Sequence, residues 1–240
     1  MHDAANASAP LRAERSESVL RVTFERANRA NALDAATVER FLAVLDDREL
    51  AGGLRALIVE GSGQNFCAGF DLSELESAEE AELIVRFLKI ETLLQRLYHA
   101  PFVTIACAQG NALGAGADVF AACTYRLAAP DARFRMPGWQ FGIALGTRRL
   151  FDRVGAEAGR DMLSANRTLD ASAAAALGLA THVAARDEWP RVVAGILDDG
   201  TNDHREADMA ALVASALWPA GIKQRMLAYR QSVRRPRPAT

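Results

Sequence analysis

Two stretches of this 240-residue chain place small residues and an acid where a strand would turn into a helix. The first reads Asn65-Phe66-Cys67-Ala68-Gly69-Phe70-Asp71-Leu72. The second runs from Gln109 through Gly110, Asn111, Gly114, Ala115 and Gly116 to Asp118. Small side chains let a ligand come close to the backbone. A helix that starts there leaves its first N–H groups without intrahelical acceptors and carries partial positive charge. Two such N–H groups aimed at one point would form an oxyanion hole, which stabilises charge developing on a carbonyl oxygen. Asp118, in the first turn of the second helix, could move a proton beside that point. The competing reading of Asp118 is a carboxylate that only complements the helix dipole. Either stretch alone reads as an ordinary packing turn.

The elements that must hold these stretches follow from periodicity. Residues 18–26 alternate like a strand, with Val19, Leu20, Val22 and Phe24 apolar. Asp34 is placed to cap a helix over residues 35–50, where Val38, Phe41, Leu42 and Leu45 recur at helical spacing. Residues 54–60 and 103–108 are short apolar runs and read as buried strands. The first leads into a glycine-punctuated loop, 61–69, and the second into another, 110–116. Residues 79–98 form a long amphipathic helix; 125–129 and 132–136 read as short strands. Beyond residue 147 the pattern is mainly helical, clearest over 169–179 and 209–233. Strand, loop and helix in succession predict an α/β fold with largely parallel strands. Residues 1–16 read as a flexible lead-in, 17–186 as the core, and 187–240 as a C-terminal helical oligomerisation region ending in a disordered basic tail.

Composition removes several function classes. Half the residues are apolar, enough for a sizeable core, and the formal net charge of −2 gives no nucleic-acid footprint. No apolar run approaches membrane-spanning length, and the polar, Ala-rich start lacks a secretory core. Cys67, Cys107 and Cys123 sit in apolar settings without CxxC pairing and read as reduced thiols of a cytoplasmic protein. The four histidines are scattered, with no metal-ligand spacing.

Taken together and in order, these segments resemble the crotonase (enoyl-CoA hydratase/isomerase) superfamily over nearly the whole chain. Asn28-Arg29-Ala30-Asn31-Ala32-Leu33 is similar to the family's N-terminal coenzyme A segment. Phe66 to Leu72 resembles the first oxyanion loop and Gly110 to Gly116 the second; residues 128–134 and Leu177-Gly178-Leu179 are further landmarks. The resemblance implies a spiral of repeated ββα units with a C-terminal helical region, assembled as a homotrimer or homohexamer. It also implies an acyl-CoA thioester substrate and no separate cofactor. Phe70 and Ala115 fall where backbone N–H groups hold the thioester oxygen. Asn28, Arg29, Ala30, Ala68, Leu72 and Gly114 fall in the segments that line the substrate.

Two positions depart from that pattern. A hydratase sets two glutamates around the alkene; here the first is Asp118, and the second position, after Pro137, is Gly138. The following loop, Gly142 to Thr147, is also about three residues shorter than the usual version. One acid can still remove and return a proton, so these departures favour an isomerase-like reaction over efficient hydration. Other enolate reactions, decarboxylation or thioester hydrolysis, and a catalytically silent acyl-CoA-binding subunit stay open. Phe70 and Trp139 resemble pocket residues of the aroyl-CoA dehalogenase branch and suit a bulky acyl group, but that branch's nucleophile position holds Gly146.

Overall fold

The computed structural model describes residues 9–73, 75, 78–138 and 145–198. β1 (Leu11–Ser16) pairs antiparallel with β2 (Val19–Phe24). β3 (Ala56–Gly61), β4 (Val103–Ala108), β6 (Tyr125–Ala128) and β9 (His182–Val183) then add in parallel, giving the order β1-β2-β3-β4-β6-β9. β3 and β4 are almost wholly apolar, Glu60 and Thr104 excepted, because both faces of the sheet are covered. Leu57 and Val59 point into one apolar cluster with Phe41, Leu93 and Phe120. Ala56 and Ile58, one residue out of phase, point into another with Trp189, Val193 and Ile196 of α8 (Trp189–Asp198).

The helices on the first face are α1 (Ala35–Asp46), α3 (Glu80–Tyr98) and α4 (Ala115–Ala122). Asp34 caps α1 as expected: its Oδ1 accepts the Thr37 N–H at 2.8 Å. α3 buries Ile90, Leu93, Leu94 and Leu97 on one stripe, the i, i+3, i+4, i+7 pattern of an amphipathic helix. A smaller sheet, β5 (Asn111–Leu113), β7 (Arg133–Arg135) and β8 (Leu169–Asp170), stands beside the main one. α5 (Thr147–Val154), α6 (Ala156–Ser164) and α7 (Ala171–Ala176) complete the described fold.

Four sequence expectations change. Residues 11–16 are not lead-in but edge strand β1, whose charged alternate residues hid a short period-2 pattern; only Leu11 is fully buried. The helix over 35–50 breaks at Asp47, whose carboxylate accepts from Glu49 N–H and Leu50 N–H and starts a separate turn, α2 (Arg48–Ala51). The loop 110–116 contains β5, recognisable only by its pairing with β7. Of the helix over 169–179, the first two residues form β8, and Asp170 caps the shorter α7 through Ala173 N–H at 2.8 Å. The helix expected over 209–233, the basic tail, Trp139 and the shortened loop 142–144 lie outside the described residues.

Candidate active site

The two small-residue stretches meet. Cys67 lies beside Ala112 of β5: Cys67 N–H donates to Asn111 O, and Leu113 N–H donates to Cys67 O. On its other side the first stretch pairs with Leu33, whose N–H reaches Gly69 O at 2.7 Å and whose carbonyl accepts Asp71 N–H at 3.1 Å. In an extended chain, alternate residues present their N–H to opposite edges. Phe70, between the two residues bonded to Leu33, therefore turns its N–H away, and it finds no acceptor among the described residues. Ala115 is the first residue of α4, so its N–H has no intrahelical partner either.

Gly69 brings the two segments into contact. With φ +87° it uses backbone space that side chains avoid, and a Cβ there would lie 2.4 Å from Leu113 O and 3.2 Å from Ala115 N. Ala115 N is thus packed directly against the residue before Phe70.

A clamp fixes the other end of the loop. The Arg26 guanidinium pairs with Asp71 at 2.8 Å and Asp34 at 3.1 Å, and donates to Ala32 O. Burial alone would raise the Asp71 carboxyl. Hydrogen bonds from Ser73 and the Arg26 pair outweigh it and hold Asp71 at about 2.

A cavity of about 160 Å³ opens where the stretches meet. Ala68, Phe70, Leu72, Gly114, Ala115, Asp118 and Gly138 all line it. Seven positions singled out by sequence therefore surround one space. Leu72 stands at its outer side, 65% exposed. Asn28 and Arg29 are exposed in a short turn and do not line the cavity. Ala30 adjoins it through its carbonyl, which accepts Ala68 N–H at 2.9 Å. Sequence reasoning did not find Phe87, Met136, Leu145, Thr147 or Leu163, which also line the space. Phe87 stacks on Phe70 with ring centroids 4.5 Å apart, and the Arg86 guanidinium lies 4.5 Å from the Phe70 centroid. The register of α3 could have pointed to Phe87, but nothing local marks Leu163.

Asp118 is the acid of this cavity. Its residue is 7% exposed, and Oδ1 is buried without a hydrogen-bond partner among the described groups. The carboxyl lies against Gly146, where a Cβ would sit 1.7 Å from Oδ1, so the absence of a side chain there makes room for it. Burial raises the Asp118 carboxyl to about 7; Arg149 opposes that shift and Glu91 adds to it. A carboxyl at that value is present in both protonation states near neutral pH, as a group that removes and returns a proton must be. Cys67 is different: burial pushes its thiol up to about 12, despite the Gly69 N–H against its Sγ, which leaves no thiolate for nucleophilic chemistry. Among the described residues, no group of three or more His, Cys, Asp or Glu is placed to hold a metal ion.

Known proteins resemble this chain over most of its length. A family model described as enoyl-CoA hydratase/isomerase matches residues 14–225. A Bacillus subtilis protein named "Probable enoyl-CoA hydratase" is 33% identical over 165 residues, 66% of this chain and 63% of that protein, slightly under two thirds of its length. A Mycobacterium bovis protein with the same description is 32% identical over 170 residues, 70% of this chain and 68% of its own. A crystal structure from Bordetella parapertussis, named for the enoyl-CoA hydratase/isomerase class, superposes with TM-score 0.78 at 37% identity. It covers 95% of this chain and 100% of its own.

Proposed function

The chain belongs to the enoyl-CoA hydratase/isomerase family, and from that premise we propose that it binds an acyl-coenzyme A thioester and shifts a double bond through an enolate. The thioester oxygen is received by the N–H groups of Phe70 and Ala115, and Asp118 carries the proton. The observation that supports this reading is that one cavity is lined by Phe70 and Ala115, whose N–H groups have no acceptor among the described residues, and by Asp118, whose buried Oδ1 has no described partner. Oxyanion donors of this kind contribute about 3 kcal/mol each to barrier lowering. Asp118 removes the proton α to the thioester, the electrons pass through the enolate to its oxygen, and Asp118, its proton in exchange with solvent, delivers one at the γ carbon. An acid at about 7 performs both halves near neutral pH.

Hydration has less support. It needs a second carboxylate to activate water, and Gly138 stands on the cavity wall with no side chain to supply one. Decarboxylation has less support as well. The described lining carries no Lys or Arg to receive a substrate carboxylate, and an ionised Asp118 would repel it. The described lining is mostly apolar, with Phe70, Phe87, Met136, Leu145 and Leu163, which suits an uncharged acyl group.

The test is turnover of four thioester types side by side: a 3-enoyl-CoA, crotonyl-CoA, malonyl-CoA and a saturated acyl-CoA. Isomerisation of the first should be fastest. Dominant hydration, loss of carbon dioxide or release of free coenzyme A would overturn the reading. The family reading carries a trimer or dimer of trimers with it, and a monomeric mass by light scattering at micromolar concentration would contradict that.

A further inference from the structure

Between the two helices packed on α4 lies an ion pair that has no part of its own in the proposed chemistry. Arg149 of α5 donates to Glu91 of α3 through both terminal nitrogens, Nη2 to Oε1 at 2.6 Å and Nη1 to Oε2 at 3.2 Å. The Arg149 side chain is 9% exposed and that of Glu91 26%. A two-point pair of this kind fixes the guanidinium in place and orientation. Arg149 stands in the first turn of α5, and the residue that caps that turn, Gly146, is the one packed against the Asp118 carboxyl. The pair therefore joins the two helices that flank α4, on which Asp118 sits.

We propose that Arg149, held by Glu91, is a positioning residue that sets how much negative charge Asp118 carries in the cavity. This rests on the reading of Asp118 as the proton carrier. A bare arginine so near would hold Asp118 as an anion, useful for taking a proton but poor at returning it. A glutamate alone would keep it protonated. Paired, the two leave a small net field, and burial sets the balance. On α3, Arg86 lies over the Phe70 ring and donates to Asp71 O, Lys89 pairs with Glu39, and the Tyr98 ring lies under the Arg149 guanidinium. α4 itself has no other charged side chain, and β5 has none. β4 contributes only the buried Cys107. On α5, Arg148 pairs with Asp152 on the exposed side, and Arg153 bonds the carbonyls of Ala121 and Cys123 at the far end of α4. The packing of α3 and α5 on α4, with Gly146 against the carboxyl, agrees with the opposite effects of Arg149 and Glu91 on Asp118.

The experiment needs no substrate. The full chain is labelled with carbon-13 at aspartate carboxyls, and the Asp118 signal is identified by its loss in Asp118→Asn. Its titration midpoint is then followed in Glu91→Gln and Arg149→Gln. Glu91→Gln leaves the arginine uncompensated and should move the midpoint below that of the parent; Arg149→Gln should move it above. Midpoints that stay put, or move in the same direction, in folded variants would overturn the proposal and leave the pair as helix-to-helix packing. If Arg149→Gln does not fold, Glu91→Gln alone decides, since it keeps an acceptor for Arg149. In assays with a 3-enoyl-CoA, the pH of half-maximal turnover should shift in the same two directions. Opposite midpoint shifts together with full turnover by Asp118→Asn would uphold the coupling and sink only the proton-carrier reading.

Discussion

Asp118 costs the protein stability in a way that pH exposes. Its carboxyl lies at about 7 in the fold, well above the ordinary 3.8 of an aspartate, so the folded chain holds a proton that the unfolded chain releases. Stability from this group is fully present below about 4 and is lost as pH rises toward about 7, by about 4 kcal/mol across that window. Asp118→Asn removes the effect. Its melting temperature relative to the parent should climb between pH 4 and 7 and level off above; a constant difference would show that burial does not raise this group. Asp71 works in reverse: held at about 2, it contributes stability above its unfolded value and loses it only in strong acid. Gly138 offers a gain-of-function check. Gly138→Glu should raise crotonyl-CoA hydration measurably above a very slow parent rate, and efficient hydration by the parent would mean that another residue supplies the missing acid.

At the scale of elements, the oxyanion geometry depends on three chain segments held edge to edge: Leu33, the loop around Phe70, and β5. Gly69 is the contact point. Gly69→Ala would force a Cβ to within 2.4 Å of Leu113 O at a φ of +87°. The loop must move, and a shift of about 1 Å between reacting groups can lose ~10² in rate. The expected result is a fall of that order in kcat with a melting temperature lowered by a few degrees; unchanged kcat would separate the loop from the chemistry. Much of this arrangement was legible beforehand, because strand-to-helix junctions with small residues have a local signature. β3 and β4 were legible as continuous apolar runs and α3 by its helical period. β1 and β5 were not. β5 is too short to show a period and is known by its pairing with β7, while charged residues mask the alternation of β1. Arg149 and Glu91 were equally hidden: they are 58 positions apart, and only the packing of α3 and α5 around α4 brings them together.

For the whole molecule, the cavity is lined by loops and helices from distant parts of the chain rather than by the main sheet, so ligand should tighten the fold. A coenzyme A thioester at about 100 times its dissociation constant should add ~2.7 kcal/mol of stability, read as a rise in melting temperature across a thioester set; no rise with any of them would argue against a thioester site. The three cysteines are free and buried, so this should hold equally with and without reductant. No described helix is long and apolar enough to cross a membrane. The central claim is that one buried acid exchanges a proton with a thioester enolate. Deuterium uptake from heavy water into a 3-enoyl-CoA, followed by mass spectrometry across pH 5 to 9 for the parent and Asp118→Asn, tests it most directly. The expected result is parent exchange that rises with a midpoint near 7 and falls by at least ~10² in the variant; equal exchange by the two proteins would contradict it.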